Sequence, residues 1–290
     1  MSISNIRVAA SQHNIPPSIQ SWEEYANTLR QQADTAAERG STLLVFPEYG
    51  SLLLVPLLPP AHRLTLHGQL NGLQQYATAF LQLFTDIAQS TGSWVVAPSF
   101  PLTLDSTTLV NRAWICGPQG QQHWQDKHHM TRFENELFAM SPGSGLTVVD
   151  TGHCRFGVAI CYDSEFPDQV HALARQGAQI IAVPSCTDSL AGYHRVMYCA
   201  RARAIENQCF LIQAPLRGEA PWCDAIDINV GMAGIFSPVD RGFPEDGTLA
   251  LGTTADDWVI ADCDLNAMEA VRRDGQVLNW QDQLRSKVTQ

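Results

Sequence analysis

Short apolar runs alternate with amphipathic segments along most of the chain. A short apolar run bounded by turn residues is typical of a buried strand, whereas apolar residues at helical spacing are typical of a helix. The runs predict strands at 6–10, 42–46, 94–97, 110–116, 146–150, 155–160, 180–183, 209–213, 232–236 and 258–262. The spaced patterns predict helices from Ser21 to Gly40 and at 73–89, 167–175 and 193–206.

This alternation predicts an α/β fold built in layers. Several of the strands are apolar throughout, so both faces of their sheets should be covered. The chain has 290 residues, which is enough for two small domains or one large one. Because no segment has the composition of a linker, we expect a single domain.

Composition excludes several classes of protein and site. A net charge of −11 disfavours nucleic acid and anionic membranes as partners, since both attract basic surfaces. The eight cysteines form no C-x-x-C pair, which argues against a structural zinc site. The N-terminal segment lacks the features of a signal peptide, and the most apolar stretch, 52–58, is too short to cross a membrane. We therefore expect a soluble, cytoplasmic protein.

One cysteine lies at a junction that suits a nucleophile. The apolar run 156–160 ends on Cys161, and Pro167 follows closely, which predicts a strand that turns sharply into a helix. Such a junction lifts the Cys161 side chain clear of the sheet. It also points a helix N-terminus at the sulfur, which favours a thiolate and can hold an oxyanion. The alternative is a small buried apolar residue, as most free cysteines are.

Two charged residues also follow strand-like runs. Glu48 closes the apolar run 43–47, and a carboxylate in apolar surroundings has a raised pKa and can act as a base. Lys127 could supply a fixed positive charge to an oxyanion. Taken singly, these residues can also be interpreted as a loop glutamate that faces water and a surface lysine. Active sites of layered α/β folds gather at strand ends, so the coincidence with Cys161 favours a site.

Three segments together resemble the signature segments of the nitrilase superfamily of carbon–nitrogen hydrolases, in its amidase-like branch. The segments are LLVFPE at 43–48, QDKHH at 125–129 and GVAICYDSEFP at 157–167. Their order and spacing agree with the Glu–Lys–Cys triad of that family. The resemblance extends from the first strand to about Asp264.

The resemblance implies a role for each matched residue. Glu48 would be the general base, and Cys161 would attack the substrate carbonyl to form a thioester. Lys127 would stabilise the tetrahedral oxyanion together with the backbone N–H of Tyr162.

The family also places a second glutamate beside its triad. Glu136 is the expected residue, because it lies six residues before Pro142 and that interval fits. Neighbouring Glu134 is the competing assignment.

For the whole protein, the resemblance implies a four-layer α-β-β-α sandwich that forms a homodimer or a larger assembly. Residues 1–290 would form one carbon–nitrogen hydrolase domain, and roughly 265–290 would be a C-terminal extension used in packing or dimerisation. No metal or organic cofactor is required. The expected partner is a small linear amide, from which ammonia is released.

One position departs from the family pattern. Branches that cleave amides of dicarboxylates often carry arginine where this chain has Glu165. We therefore expect Glu165 to disfavour an anionic tail and to bind an ammonium or hydroxyl group. The alternative is that it turns outward or pairs with a nearby arginine. Tyr49 and Phe133 are further candidates for substrate contact, although core packing or an ordinary surface position would explain each as well.

Other functions stay open at this point. The segment after Tyr162 differs from those typical of nitrilases, which ranks an amide above a nitrile. An N-carbamoyl compound is a further alternative for the same triad. Two alternatives belong to other classes: a non-catalytic binding or assembly protein with this fold, and a thiol enzyme that uses a Cys–His pair.

Overall fold

Strands and helices alternate along residues 5–285, the part of the chain that the computed structural model describes. The strands are β1 Asn5–Ser11, β2 Leu43–Val45, β3 Trp94–Val96, β4 Phe100–Thr103, β5 Leu109–Cys116, β6 Gln122–Asp126, β7 Val148–Asp150, β8 Arg155–Val158, β9 Ile180–Ser185, β10 Phe210–Pro215, β11 Gly218–Glu219, β12 Ile228–Asn229, β13 Gly234–Phe236, β14 Thr248–Leu251 and β15 Trp258–Asp264. The α-helices are α1 Trp22–Glu38, α2 Pro60–Arg63, α3 Leu66–Leu73, α4 Ala77–Thr91, α5 Pro167–Arg175, α6 Leu190–Asn207, α7 Leu265–Asp274 and α8 Asn279–Arg285. Shorter turns are the 3₁₀-helices Gly50–Leu57, Gln74–Tyr76 and Cys161–Glu165 and the π-helix Glu134–Phe138.

Two large sheets form the centre of the fold. The first has seven strands in the order β15-β1-β2-β3-β5-β4, with β6 also paired to β5. The second has six strands in the order β14-β13-β10-β9-β8-β7. In each sheet the three central strands are parallel, β1, β2 and β3 in one and β8, β9 and β10 in the other. Their carboxyl ends therefore point the same way within each sheet.

The two sheets pack face to face through alternate residues of their central strands. Val158, Ala182 and Ile212 lie side by side across β8, β9 and β10. Gly157 faces the opposite way, since a Cβ atom there would lie 2.9 Å from Leu173 of α5. The row that contains Ile212 thus faces the first sheet, where it joins one buried core with Val8 and other residues of β1 and β2.

Helices cover the outer face of each sheet. Apolar residues of α1 and α4 pack with those of β2 and β3 that point away from the second sheet. On the other side, α5 and α6 bury their apolar faces against β8, β9 and β10. The result is a four-layer α-β-β-α sandwich, which confirms the expected fold class.

The observed elements differ from the predicted ones at several boundaries. Helix α5 has the predicted bounds, but the helix predicted at 73–89 begins at Ala77 because a 3₁₀ turn precedes it. A further 3₁₀-helix, Cys161–Glu165, separates the nucleophile candidate from α5. Strands β4, β6, β11, β12 and β14 were not predicted; each is short and partly exposed, so none has an apolar run longer than three residues.

The C-terminal residues continue as two helices. Arg272 of α7 donates hydrogen bonds to the carbonyl oxygens of Asn207 and Gln208, both at 3.0 Å, at the end of α6. Use of 265–290 in dimerisation stays a prediction, and residues 286–290 lie outside the described part. Within residues 5–285, no helix combines the length and apolar character that a membrane crossing requires.

The packing between the sheets predicts a large stability loss for Ile212→Ala. Ile212 is fully buried, so truncation leaves a cavity between two sheets that cannot readily collapse, and we expect a loss of about 2–5 kcal/mol in the free energy of unfolding. Urea denaturation followed by circular dichroism measures it. Leu64→Ala is the control, because Leu64 is 82% exposed and should change stability by less than about 0.5 kcal/mol. Equal effects of the two substitutions would contradict the assignment of Ile212 to the core.

Candidate active site

Three strand ends carry the candidate catalytic residues to one place. Glu48 follows β2, Lys127 follows β6 and Cys161 follows β8, so Glu48 and Lys127 come from the first sheet and the thiol from the second. All three side chains line a single cavity of about 330 Å³. The structure therefore brings together the three residues that the sequence singled out.

The Lys127 ammonium lies between two carboxylates. Its Nζ donates to Glu48 Oε1 at 2.8 Å, and to both Glu134 oxygens at 2.7 and 2.8 Å. All three side chains are at most 2% exposed. We call this group the buried charge cluster. Since charged groups are rarely buried without partners, its members depend on one another for their stability in the interior.

The second glutamate of the cluster is Glu134, which corrects the expectation for Glu136. Glu136 instead lies at the surface, where its carboxylate pairs with Arg132 one helical turn earlier. Glu134 is turned inward because Thr131 holds it: the Thr131 backbone N–H and hydroxyl both donate to Glu134 Oε2, at 2.8 and 2.9 Å. The interval to Pro142 alone did not separate the two candidates.

Two further residues complete the contacts of the carboxylates. The Tyr49 hydroxyl donates to Glu134 Oε1 at 2.6 Å. The Asn111 amide donates to Glu48 Oε1 at 2.9 Å and to Glu134 Oε1 at 3.3 Å. Tyr49 was expected to contact substrate, and its hydroxyl instead supports the cluster while the residue also lines the cavity.

The backbone at Cys161 is strained in the manner of many functional residues. Its φ is +49°, in the left-handed region that non-glycine residues seldom adopt. The Ser164 hydroxyl donates to the Cys161 carbonyl at 2.7 Å and supports the turn. The thiol faces the carbonyl oxygen of Cys186, which follows β9, with Sγ 3.6 Å from it.

Asp163 ties the thiol segment to the lysine segment. Its fully buried carboxylate accepts hydrogen bonds from the backbone N–H of Ile160 at 3.2 Å, of His128 at 3.1 Å and of His129 at 2.8 Å. These donors lie within two residues of Cys161 or Lys127 in the chain. Asp163 thus fixes the two segments relative to each other, a role that depends on tertiary contacts.

Burial sets unusual pKa values in the site. It raises the pKa of Glu48 to about 7; Lys127 offsets part of that rise and Glu134 adds to it. Burial alone would also raise the pKa of Glu134, but Lys127 and the hydrogen bonds to that carboxylate outweigh burial and lower it. Burial and the charge of Glu48 raise the pKa of the Cys161 thiol well above its usual value. This shift favours a protonated Cys161, in contrast to the thiolate that a helix N-terminus would favour.

The cavity wall contains the remaining candidates for substrate contact. Tyr162, Glu165 and Phe133 all line it. Glu165 pairs with Arg195 of α6, at 3.3 Å between Oε1 and Nε, so the pairing that was the alternative interpretation is observed. The charge of Glu165 is therefore partly compensated at the cavity wall.

Histidine is not positioned to serve the thiol. All nine histidines lie in the described part of the chain, and none of them lines the cavity. His128 and His129 directly follow Lys127 in the chain. The Nδ1 of His128 lies 3.4 Å from the Gln125 amide nitrogen, and that of His129 bonds to Asp163 and Gln169, at 3.2 and 2.9 Å. The geometry therefore favours a carboxylate over histidine as the partner of Cys161.

Sequence relatives agree with this geometry. The model of the carbon–nitrogen hydrolase family matches residues 7–273. A probable hydrolase, YhcX of Bacillus subtilis, is 31% identical over 281 residues, which cover 97% of this chain and 54% of that protein. A protein named nitrilase, from Pyrococcus abyssi, is 36% identical over 147 residues, which cover 49% of this chain and 50% of that protein. The chain thus spans about half the length of these curated relatives.

Solved structures with the same fold include members of this superfamily. A carbon–nitrogen hydrolase from Helicobacter pylori superimposes with a TM-score of 0.73 at 21% identity, over 98% of this chain and 99% of that one. An amidase of the nitrilase superfamily from Nesterenkonia superimposes with a TM-score of 0.68 at 19% identity, over 96% of this chain and 93% of that one. At such identities the likeness shows the fold alone. The family match over nearly the whole chain shows more: this protein is a member of the carbon–nitrogen hydrolase family.

Proposed function

We propose that this protein hydrolyses a small linear amide through a thioester on Cys161. The observation that carries the proposal is the buried charge cluster, which lies beside the thiol and opens into a cavity of about 330 Å³. A thiol, a base of pKa about 7 and a fixed cation meet there, as nucleophilic attack on a carbonyl requires. A protein that only bound ligands would have no need of all three.

The first half of the reaction forms the acyl-enzyme. The Cys161 sulfur attacks the amide carbon while the thiol proton passes to Glu48, and the carbonyl oxygen becomes an oxyanion. Lys127 and the Tyr162 backbone N–H stabilise that charge. When the tetrahedral intermediate collapses, the carbon–nitrogen bond breaks and Glu48 returns the proton to the departing ammonia or amine.

The second half releases the acid. Glu48 takes a proton from water, whose oxygen attacks the thioester carbon, and the carbon–sulfur bond breaks. The thiolate of Cys161 recovers its proton from Glu48. Glu134 stays ionised throughout and keeps Lys127 charged, since its lowered pKa holds it as a carboxylate.

The charges at the cavity wall bear on the substrate tail. Arg195 is engaged by Glu165 and Arg132 by Glu136, so neither cation is free of a carboxylate partner. Asp188, Asp224 and Asp227 also line the cavity, and no ion pair joins any of the three to another described residue. The negative excess favours an amide with an ammonium or neutral tail over one with a carboxylate.

The roles of Cys161 and Glu48 predict distinct losses. Cys161→Ala removes the nucleophile and should abolish ammonia release from a panel of linear amides. Glu48→Gln removes the base and should lower kcat/KM by about 10²–10⁴-fold. Cys199→Ala is the matched control, because Cys199 lies on α6 outside the cavity and should leave activity unchanged. Turnover by the Cys161 variant would exclude the thioester route, and full activity of the Glu48 variant would exclude that base.

The corrected assignment predicts opposite results for two neighbouring glutamates. Glu134→Gln removes a negative charge beside Glu48, which lowers the pKa of Glu48, so the acid limb of the kcat/KM profile should move to lower pH. Its maximum should fall by about 10²-fold or more, because the Lys127 cation loses the partner that fixes it. Glu136→Gln breaks only an exposed ion pair and should match the wild type. Loss of activity in the Glu136 variant alone would restore the original assignment.

The charge of the cavity predicts a preference among three linear amides of equal chain length that end in an ammonium, a methyl group or a carboxylate. We expect kcat/KM for the ammonium compound to exceed that for the carboxylate by about tenfold or more at low salt, and the ratio to shrink as salt is added. Glu165→Gln should reduce the ratio. A preference for the carboxylate would show that Arg195 rather than the aspartates governs the tail. An N-carbamoyl compound and a nitrile should be tested in the same assay. Faster turnover of either one would indicate that the triad hydrolyses that class of compound rather than an amide.

A further inference from the structure

One buried asparagine contacts every member of the buried charge cluster. Asn111 lies on β5 and is fully buried. Its Nδ2 donates to one oxygen of Glu48 at 2.9 Å and to one of Glu134 at 3.3 Å. Its backbone carbonyl accepts from the backbone N–H of Lys127 at 2.9 Å. A single residue therefore contacts both carboxylates by its side chain and the lysine by its main chain.

The other end of this amide has no partner. Asn111 Oδ1 is buried and accepts no hydrogen bond from any described residue. Turning the amide over would place that oxygen against two carboxylates, which is worse. An orphaned acceptor in the interior is unfavourable, and leucine, whose side chain has the same branching and the same number of heavy atoms, would not have one. The hydrogen bonds that the amide donates therefore explain why asparagine occupies this position.

The amide donates to carboxylates that share a single cation. The groups that face Glu48 are Lys127, Glu134 and Cys161, with Tyr49 and Cys186 close by. Lys127 is the one cation among these groups, and it is shared with Glu134. The Asn111 amide adds a neutral donor to the same side. Both donors bind Glu48 Oε1, which leaves Oε2 to receive the thiol proton.

We propose that Asn111 is a positioning residue for the base: its amide orients the Glu48 carboxylate and sets the pH at which that carboxylate can accept the proton of Cys161. The inference rests on the proposed function. A donor to the ionised carboxylate favours the ionised form, so Asn111 opposes the effects of burial and of Glu134. Without the Asn111 amide, Glu48 would stay protonated to a higher pH and could not act as a base in that additional pH range.

The test is Asn111→Leu, with kcat/KM for a linear amide measured as a function of pH. We expect the acid limb to move to higher pH by about one unit, and activity to recover in part above it. A second readout needs no turnover: the rate at which iodoacetamide alkylates Cys161, followed by mass spectrometry of its peptide, should show the same displacement. If the wild type hydrolyses no amide, the proposed function fails while this readout still tests Asn111.

Gln213→Leu is the matched control. Gln213 is equally buried, neither end of its amide has a hydrogen-bond partner among the described residues, and it does not line the cavity. Its replacement should leave both profiles in place. If Asn111→Leu does not fold, as judged by circular dichroism, Asn111→Ala carries the test. A uniform loss at all pH values with an unmoved acid limb would overturn the proposal, because it would mean a structural role only.

Discussion

The burial of one lysine between two carboxylates constrains the rest of the site. Removing Lys127 from water is unfavourable, and its attraction to Glu48 and Glu134 compensates only when the geometry is close and the remaining hydrogen bonds are made. Those bonds come from Thr131, Tyr49 and Asn111, which lie in separate segments of the chain. One group of charges therefore holds together the ends of β2 and β6, the first half of β5 and the π-helix, and Cys161 is brought to it from the other sheet.

Some of this could be predicted from short stretches of sequence. Helix α5 and the exit of Cys161 from a strand both follow from an apolar run and a proline that are close together in the chain. A local signal for Glu134 was also present: Thr131 lies three residues before it, a spacing typical of a side chain turned back onto a helix start. Arg132 likewise lies four residues before Glu136, which is typical of an exposed ion pair.

The remaining parts depend on residues distant in the chain, and no local pattern reports them. Asn111 and Arg112 are the two polar residues of an otherwise apolar strand, and the importance of Asn111 becomes visible only when Glu48, 63 positions away, is beside it. The link from Asp163 to the residues after Lys127 spans 35 positions. Arg195 reaches Glu165 from α6, a helix that the sequence placed only by its apolar face. Periodicity predicts which face of an element is buried, not which polar groups meet across the core.

The charge of the site also bears on how the proposed reaction ends. Every amide, whatever its tail, yields a carboxylic acid that ionises at neutral pH. This product would form beside Glu48 and Glu134, whose combined negative charge exceeds the single positive charge of Lys127. The cavity wall around it also contains more aspartates than unpaired cations. A neutral amide group feels little of this potential, whereas the new carboxylate is repelled by it. The negative charge of Glu134, which adds to the effect of burial on the pKa of Glu48, thus also favours departure of the acid.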